Sequence, residues 1–272
     1  MEIYKKGDIF ECQFTYSGEN WEKTILLMSD EHYDSPHCDR ALLKKHHEKA
    51  KALDAPIFKF GDVFDCMGGK YDPRTHKGDI RPEHNVKDYF DAVTKDAHDF
   101  YKDYDVAFIS PGNHEENVLH RHETDLIGNL GERLDCAVGD YSGWLRFSFY
   151  NQTGGGKRHL DMYYNHEGGA GPVSLGVIKT NRNAVNYNAD IYVNGHNHNR
   201  WQVERVNEKI NAAGNIKRKE QLHINSGTYN TKPAKGRERY DSKYGQPNLG
   251  GVFLTFAKRG KDEEIYARAM FA

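Results

Sequence analysis

The chain has 272 residues, enough for one large domain or two small ones with a substantial buried core, so bulk stability does not require disulfides or a structural metal. Charged residues are 29% and apolar ones 37%, but aromatics at 12% supply core material and exclude a disordered chain. Lys and Arg total 38 against 40 Asp and Glu, so the net charge of -2 gives no global field toward nucleic acid or a membrane, and any such attraction must be local.

No window approaches the roughly 18 apolar residues of a membrane span, and the start MEIYKKGDIFECQF has no apolar signal-peptide core, so a cytoplasmic protein with no membrane partner is expected. Cys12, Cys38, Cys66 and Cys136 form no CxxC pair, which fits reduced thiols. In contrast, 15 histidines exceed what packing or solubility needs.

In chain order, residues 1–23 suggest an N-terminal edge hairpin. Short β-branched and aromatic runs then read as buried strands: TILLMS (24–29), PIFKF (56–60), DVAFIS (105–110), LDMYYN (160–165) and ADIYVN (189–194). Helical spacing is expected over 38–53, 86–104 and 117–134. Alternation of strands and helices predicts an α/β sandwich, and the stretches after 201 predict an antiparallel, hairpin-rich finish. No repeat or linker interrupts the sequence, so a single domain over 1–272 is expected. Two long polar loops, 66–85 and 228–250, are placed near the functional rim.

Each strand is followed at once by residues that bind metals. Asp30 and His32 follow the first, Asp62 and Asp65 the second, Asn113, His114 and Glu115 the third, His166 the fourth, and His196 and His198 the fifth. Strand ends of an α/β sheet are where such folds place ligand sites. Asp30 and His32, two apart on an extended chain, are expected to point the same way. Carboxylate, imidazole and amide oxygen without thiolate suit Mn, Zn, Fe or Ni, with Mg also considered, and seven ligands suit two ions sharing a carboxylate.

The ordered motifs S-D-E-H, G-D-V-F-D, G-N-H-E, a strand-end His and G-H-N-H resemble the calcineurin-like metallophosphoesterase superfamily, whose pattern is DxH, GDxxD, GNH[DE], H and GHxH. The resemblance spans Asp30 to His198 and implies a four-layer αββα sandwich. It implies one metal, Mn as first choice, held by Asp30, His32, Asp62 and His198, and a second held by Asp62, Asn113, His166 and His196. It places His114 beside the leaving group as general acid, oriented by Asp65, with a metal-bridging hydroxide attacking phosphorus and Glu115 supporting the loop. Cys66 and Met67 stand where phosphoprotein phosphatases continue GDxxDRG, which points away from that branch and toward phosphodiesterase and nuclease-like enzymes.

Loop 228–250 interleaves Lys232, Lys235, Arg237, Arg239 and Lys243 with Tyr229, Tyr240 and Tyr244, the combination of cations and stacking rings that a nucleic-acid or nucleotide ligand uses. Lys235, Arg237 and Arg239 are therefore candidate substrate contacts. The expected activity is hydrolysis of nucleic-acid or nucleotide phosphodiesters. A phosphomonoesterase for a small metabolite or phosphopeptide is the alternative, and a non-catalytic interaction scaffold is the second. The remaining histidines, His46, His47, His98, His120, His122, His159 and His223, read as surface or supporting residues. His37, His76 and His84 lie in loops that follow ligand strands.

Overall fold

The computed structural model describes residues 1–71, 76–154, 156–167, 174, 176–231, 247–260 and 264–272. Two sheets stack face to face. The first has seven strands: β1 (Glu2–Lys6), β2 (Ile9–Tyr16), β7 (Ser142–Asn151), β8 (Lys157–Asn165), β9 (Ile191–Asn194), β10 (Arg200–Ile210) and β11 (Ile216–Ser226), in the order β1-β2-β7-β8-β9-β11-β10. The second is β13-β12-β3-β4-β5-β6, made from β3 (Trp21–Met28), β4 (Ile57–Phe60), β5 (Val106–Ser110), β6 (Ala137–Val138), β12 (Val252–Lys258) and β13 (Tyr266–Phe271).

Alternation along the strands divides the interior. Ile25 and Leu27 of β3, Phe58 and Phe60 of β4, and Phe147 and Phe149 of β7 fill the space between the sheets. Leu26 and Met28 of β3 and Ile57 of β4 turn the other way, into a second core with the helices. That helical layer holds α1 (Arg40–Ala52), α2 (Tyr89–Tyr101), α3 (Asn113–His122) and α4 (Leu126–Leu134). A short helix, α5 (Lys179–Asn186), lies by the first sheet, with Asn183 Nδ2 donating to Asn194 Oδ1 of β9 at 3.0 Å. The sheets are thus flanked by helices, as the αββα expectation requires. Among the described residues no helix is long and apolar enough to cross a membrane.

Three elements depart from the sequence reading. The single helix expected over 117–134 is two, because Glu123 takes a left-handed conformation (φ 52°) that ends α3, and the Asp125 carboxylate caps α4 by accepting from the Gly128 N–H. In addition, α3 begins early, at Asn113, and so carries candidate ligands in its first turn. Strand β7, although Leu145, Phe147 and Phe149 alternate with Arg146 and Ser148, and helix α5 are not among the elements expected from the sequence.

Candidate metal centre

The strands β3, β4 and β5 are parallel neighbours, as are β8 and β9, so their C-terminal ends deliver five loops to one place. The loops after β3 and β4 stay paired beyond the strands: the backbone N–H of Asp30 donates to Gly61 O, and that of His32 to Asp62 O. Three groups of side chains converge there with geometry able to hold a metal ion: Asp30, His32 and His198; Asp62, His166 and His196; and His32, Asp65 and His114. The first two match the two halves of the ligand set implied by the motifs. Asn113 joins the second, with its Oδ1 2.6 Å from His196 Nδ1.

The hydrogen bonds fix which atoms face inward. His166 Nδ1 donates to the carbonyl of Phe60 at 2.8 Å, which leaves Nε2 as the nitrogen that faces the centre. That Nε2 is buried, lies 3.0 Å from Asp62 Oδ2 and 3.7 Å from Asp30 Oδ1, and lacks the alignment of a hydrogen bond. Likewise His32 Nδ1 donates to Asp65 Oδ1 at 3.2 Å, so its Nε2 faces Nε2 of His198 at 3.1 Å. Imidazole nitrogens and carboxylates turned toward one another in a buried space fit a cation between them.

The charges respond accordingly. Burial opposes a charge on His166, but Asp62 and Asp30 overcome it and push the imidazole up to about 10, so without an ion Nε2 keeps a proton that a metal would displace. For Asp30 burial also acts against ionisation, and His166 and His198 nevertheless hold the carboxyl below the usual carboxylate range. His196 is pulled down to about 4, by burial first and then by His166. A neutral His196 beside ionised carboxylates is the state a ligand needs.

Backbone strain is concentrated at the same residues. Asp30, His32, Asp62, His196 and His198 all have left-handed φ, between 47° and 74°. Such conformations cost non-glycine residues on the order of 1–3 kcal/mol each and persist where the surroundings enforce them. Asp30 and His32 therefore converge through two left-handed residues and not, as expected, through alternation on an extended strand, which ends at Met28. Two glycines make room: a Cβ on Gly61 (φ 85°) would run into Nδ1 of His166, and one on Gly112 into the Asp62 carboxylate.

His114 stands at the edge of the centre with 13% of its side chain exposed. Its Nδ1 donates to the backbone carbonyl of Asp65 at 2.8 Å, and the Asp65 carboxylate is 3.4 Å from the same atom. Nε2 is then turned toward the centre, 4.0 Å from Asp62 Oδ2. Asp65 thus contacts both His32 and His114. Glu115 is buried and accepts from the backbone N–H groups of Gly112, Phe64 and Asp62, tying two motif loops together. Burial, reinforced by Asp62, pushes its carboxyl up to about 7.

Several supporting residues carry no recognisable sequence signal. Ser29 Oγ donates to Asp30 Oδ2 at 2.5 Å, and Thr228 Oγ1 to the Asp30 carbonyl at 2.7 Å. Asp34 accepts from the backbone N–H groups of Asp65 and Cys66, and Tyr141 donates to the carbonyl of His166. Lys179 is buried and donates to the carbonyls of Glu167 and Gly195, bridging the loops that carry His166 and His196.

Other expectations change. His46, His47 and His223 are buried; His46 bonds Tyr229 Oη, and His47 Nδ1 donates to Leu43 O. Tyr229, expected as a stacking ring, is fully buried and closed to a ligand, whereas Thr231 binds the carbonyl of His37 and so fixes the base of loop 228–250 near the centre. Lys235, Arg237 and Arg239, with Tyr240 and Tyr244, lie outside the described residues. In loop 66–85, Arg81 is committed to the carbonyls of Ser35 and Cys38, while buried Asp79 contacts His37 and His76.

No family model matches the sequence, and no curated protein matches it. Among solved structures, the chain is similar to a metallophosphoesterase from Sphaerobacter thermophilus at 13% identity, over 87% of this chain and 84% of that one, with a TM-score of 0.36. It is also similar to GAP50, named as the anchor in the inner membrane complex of Plasmodium, at 13% identity over 92% and 89% of the two chains with a TM-score of 0.40. A third is the Thermotoga maritima protein TM1076, at 12% identity over 92% and 99% with a TM-score of 0.32. Scores this low carry no functional argument, and the reading of the centre rests on its own geometry.

Proposed function

We propose that the protein is a dinuclear metal-dependent phosphohydrolase of the calcineurin-like metallophosphoesterase type, acting on phosphodiesters of nucleic acids or nucleotides. The observation that carries this reading is the inward-facing donor set: the buried Nε2 atoms of His166 and His32 facing Asp62, Asp30 and His198, with Asn113 and His196 alongside. Asp30, His32, Asp62 and His198 would hold one ion, and Asp62, Asn113, His166 and His196 the other. Bound there, two divalent cations neutralise phosphate charge and make water a competent nucleophile at neutral pH.

The chain's own residues supply the remaining chemistry. His114 presents Nε2 toward the centre because Nδ1 is engaged by the Asp65 carbonyl, so an Nε2 proton is placed for transfer to a departing alkoxide oxygen. The Asp65 carboxylate, 3.4 Å from Nδ1, helps hold the ring in this orientation. The backbone N–H of His114 donates to Asp62 Oδ1, which fixes the proton donor relative to the ligand both ions would share.

Two observations support a nucleic-acid or nucleotide substrate. The sequence of 228–250 is basic, and both ends of its described N-terminal part, Thr228 and Thr231, are hydrogen-bonded to the loop that carries Asp30. The test is hydrolysis of paired chromogenic mono- and diesters after Mn loading, followed by single-stranded DNA, double-stranded DNA and cyclic nucleotides. Diester hydrolysis above monoester hydrolysis is expected. Absence of metal-stimulated hydrolysis for every substrate would overturn the assignment.

A further inference from the structure

Between Asp30 and His32 lies Glu31, a residue the proposed chemistry does not use. Its two neighbours carry left-handed φ values of 51° and 47° and send their side chains into the centre. Glu31 points the opposite way, into the helical core, and is fully buried. There Lys59 Nζ donates to its Oε1 at 2.5 Å and Tyr101 Oη to its Oε2 at 2.5 Å.

Lys59 is equally enclosed. It lies on β4, three residues before Asp62, and its Nζ also donates to Nε2 of His47 at 3.2 Å and sits 3.9 Å from the centroid of the Tyr101 ring. His47 Nδ1 donates to Leu43 O, so the tautomer that accepts from Lys59 is already set. Glu31, Lys59, His47 and Tyr101 are all buried, each is satisfied, and together they join the β3 loop to β4, α1 and α2.

A buried ion pair is a poor device for stability alone, because well-packed apolar residues often replace it without loss. Its location gives it another role. We infer that the Glu31–Lys59 pair is a positioning tether that holds the strained Asp30–His32 turn in its metal-binding conformation and fixes it relative to Asp62. This rests on the metal-centre reading proposed above. With Glu31 anchored on the far side of the turn, the two flanking side chains are held toward the centre, and the left-handed residues cannot relax independently.

The test is Mn affinity of the full chain, read by competition with a fluorescent chelator, beside a thermal melt of the metal-free protein. The double variant Glu31→Leu/Lys59→Met removes both charges together, avoiding an unpaired buried ion. It is expected to melt near the parent but to bind Mn about tenfold or more weakly, the range seen when supporting partners of metal ligands are removed. Tyr101→Phe removes one hydrogen bond to Glu31 at nearly constant volume and is expected to weaken Mn binding by a smaller factor. If the double variant does not fold, Tyr101→Phe decides alone. Parent-like Mn affinity in every folded variant overturns the tether and leaves the metal centre standing. A parent that binds no metal overturns the metal centre, and the tether with it.

Discussion

His166 Nε2 lies 3.0 Å from Asp62 Oδ2 with its Nδ1 proton committed to Phe60 O, so Nε2 is the nitrogen that faces the carboxylates. A cation between them would displace the proton that Asp62 and Asp30 otherwise hold on it. The protein is expected to take up close to two Mn ions per chain, and His166→Ala close to one, because the Asp30, His32 and His198 group is untouched. Elemental analysis after gel filtration reads both numbers. A saturated parent with one ion or none would rule out a dinuclear centre.

The position of His114 separates its role from that of the ligands. His114→Ala is expected to retain metal while turnover falls by roughly 10²–10⁴-fold on a diester with a poor leaving group. On a nitrophenyl ester, whose leaving group scarcely needs a proton, the loss should be much smaller. Equal losses on both substrates would show that His114 does not act as proton donor.

The candidate ligands at the strand ends are legible because buried strands such as PIFKF and ADIYVN have strong local signals and the motif residues follow them directly. What the sequence does not show is how they converge. The left-handed φ of Asp30, His32, Asp62, His196 and His198 goes against the residues' own preference and is imposed by tertiary contacts. Ser29, Thr228 and Lys179 act through backbone or short-range contacts that depend on loops distant in sequence, so no spacing announces them. His46 and His47 read as surface or supporting residues on a Lys-rich face, and α1 turns them inward to Tyr229 and Lys59. Tyr229 misleads in the opposite sense, being a core residue at the base of a polar loop.

Gly61 tests the strain directly. Alanine there would adopt φ 85° and place its Cβ against the ring of His166. Gly61→Ala is expected to cost roughly 1–3 kcal/mol in stability and to weaken Mn binding by displacing His166 from the Phe60 carbonyl. Chemical denaturation and chelator competition measure the two effects. Unchanged values for both would show that the turn is not constrained as described.

His223 gives the fold a pH dependence away from the metal centre. It is buried, stacks on Tyr192 with ring centroids 4.2 Å apart, and neither ring nitrogen has a hydrogen-bond partner among the described residues. Burial, then Arg205, pulls it down to about 4 from an ordinary 6.5. The unfolded chain therefore binds the proton more readily, so the neutral ring's contribution is complete above pH 6.5 and declines as pH falls toward 4, by at most about 3 kcal/mol. His223→Phe keeps the stacking and removes the titration. Urea unfolding of metal-free protein between about pH 4 and 7 should show a shallower loss of stability in the variant, and identical slopes would dismiss His223 as a source of acid sensitivity.

The substrate assignment turns on Lys235, Arg237 and Arg239. Phosphate contacts by such residues release counterions, so affinity for a polyanion falls steeply with salt, whereas reaction at the phosphorus is local. The base of the loop is bound at Thr228 and Thr231 to the segment that carries Asp30 and His37. Replacing all three by Gln should weaken binding of single-stranded DNA or a nucleotide diester. It should also flatten the salt dependence, by roughly one in log–log slope for each phosphate that is no longer neutralised. Hydrolysis of a small chromogenic diester should stay near the parent's, because its reacting phosphate needs only the metal-centre residues. KM and kcat for both substrate types, each at low and high salt, separate the cases. If the triple variant handles DNA, RNA and cyclic nucleotides as the parent does at both salts, these three cations do not touch the substrate. The preference for nucleic acid or nucleotide would then fall, while the metal-dependent hydrolysis would stand on the Asp, His and Asn ligands alone.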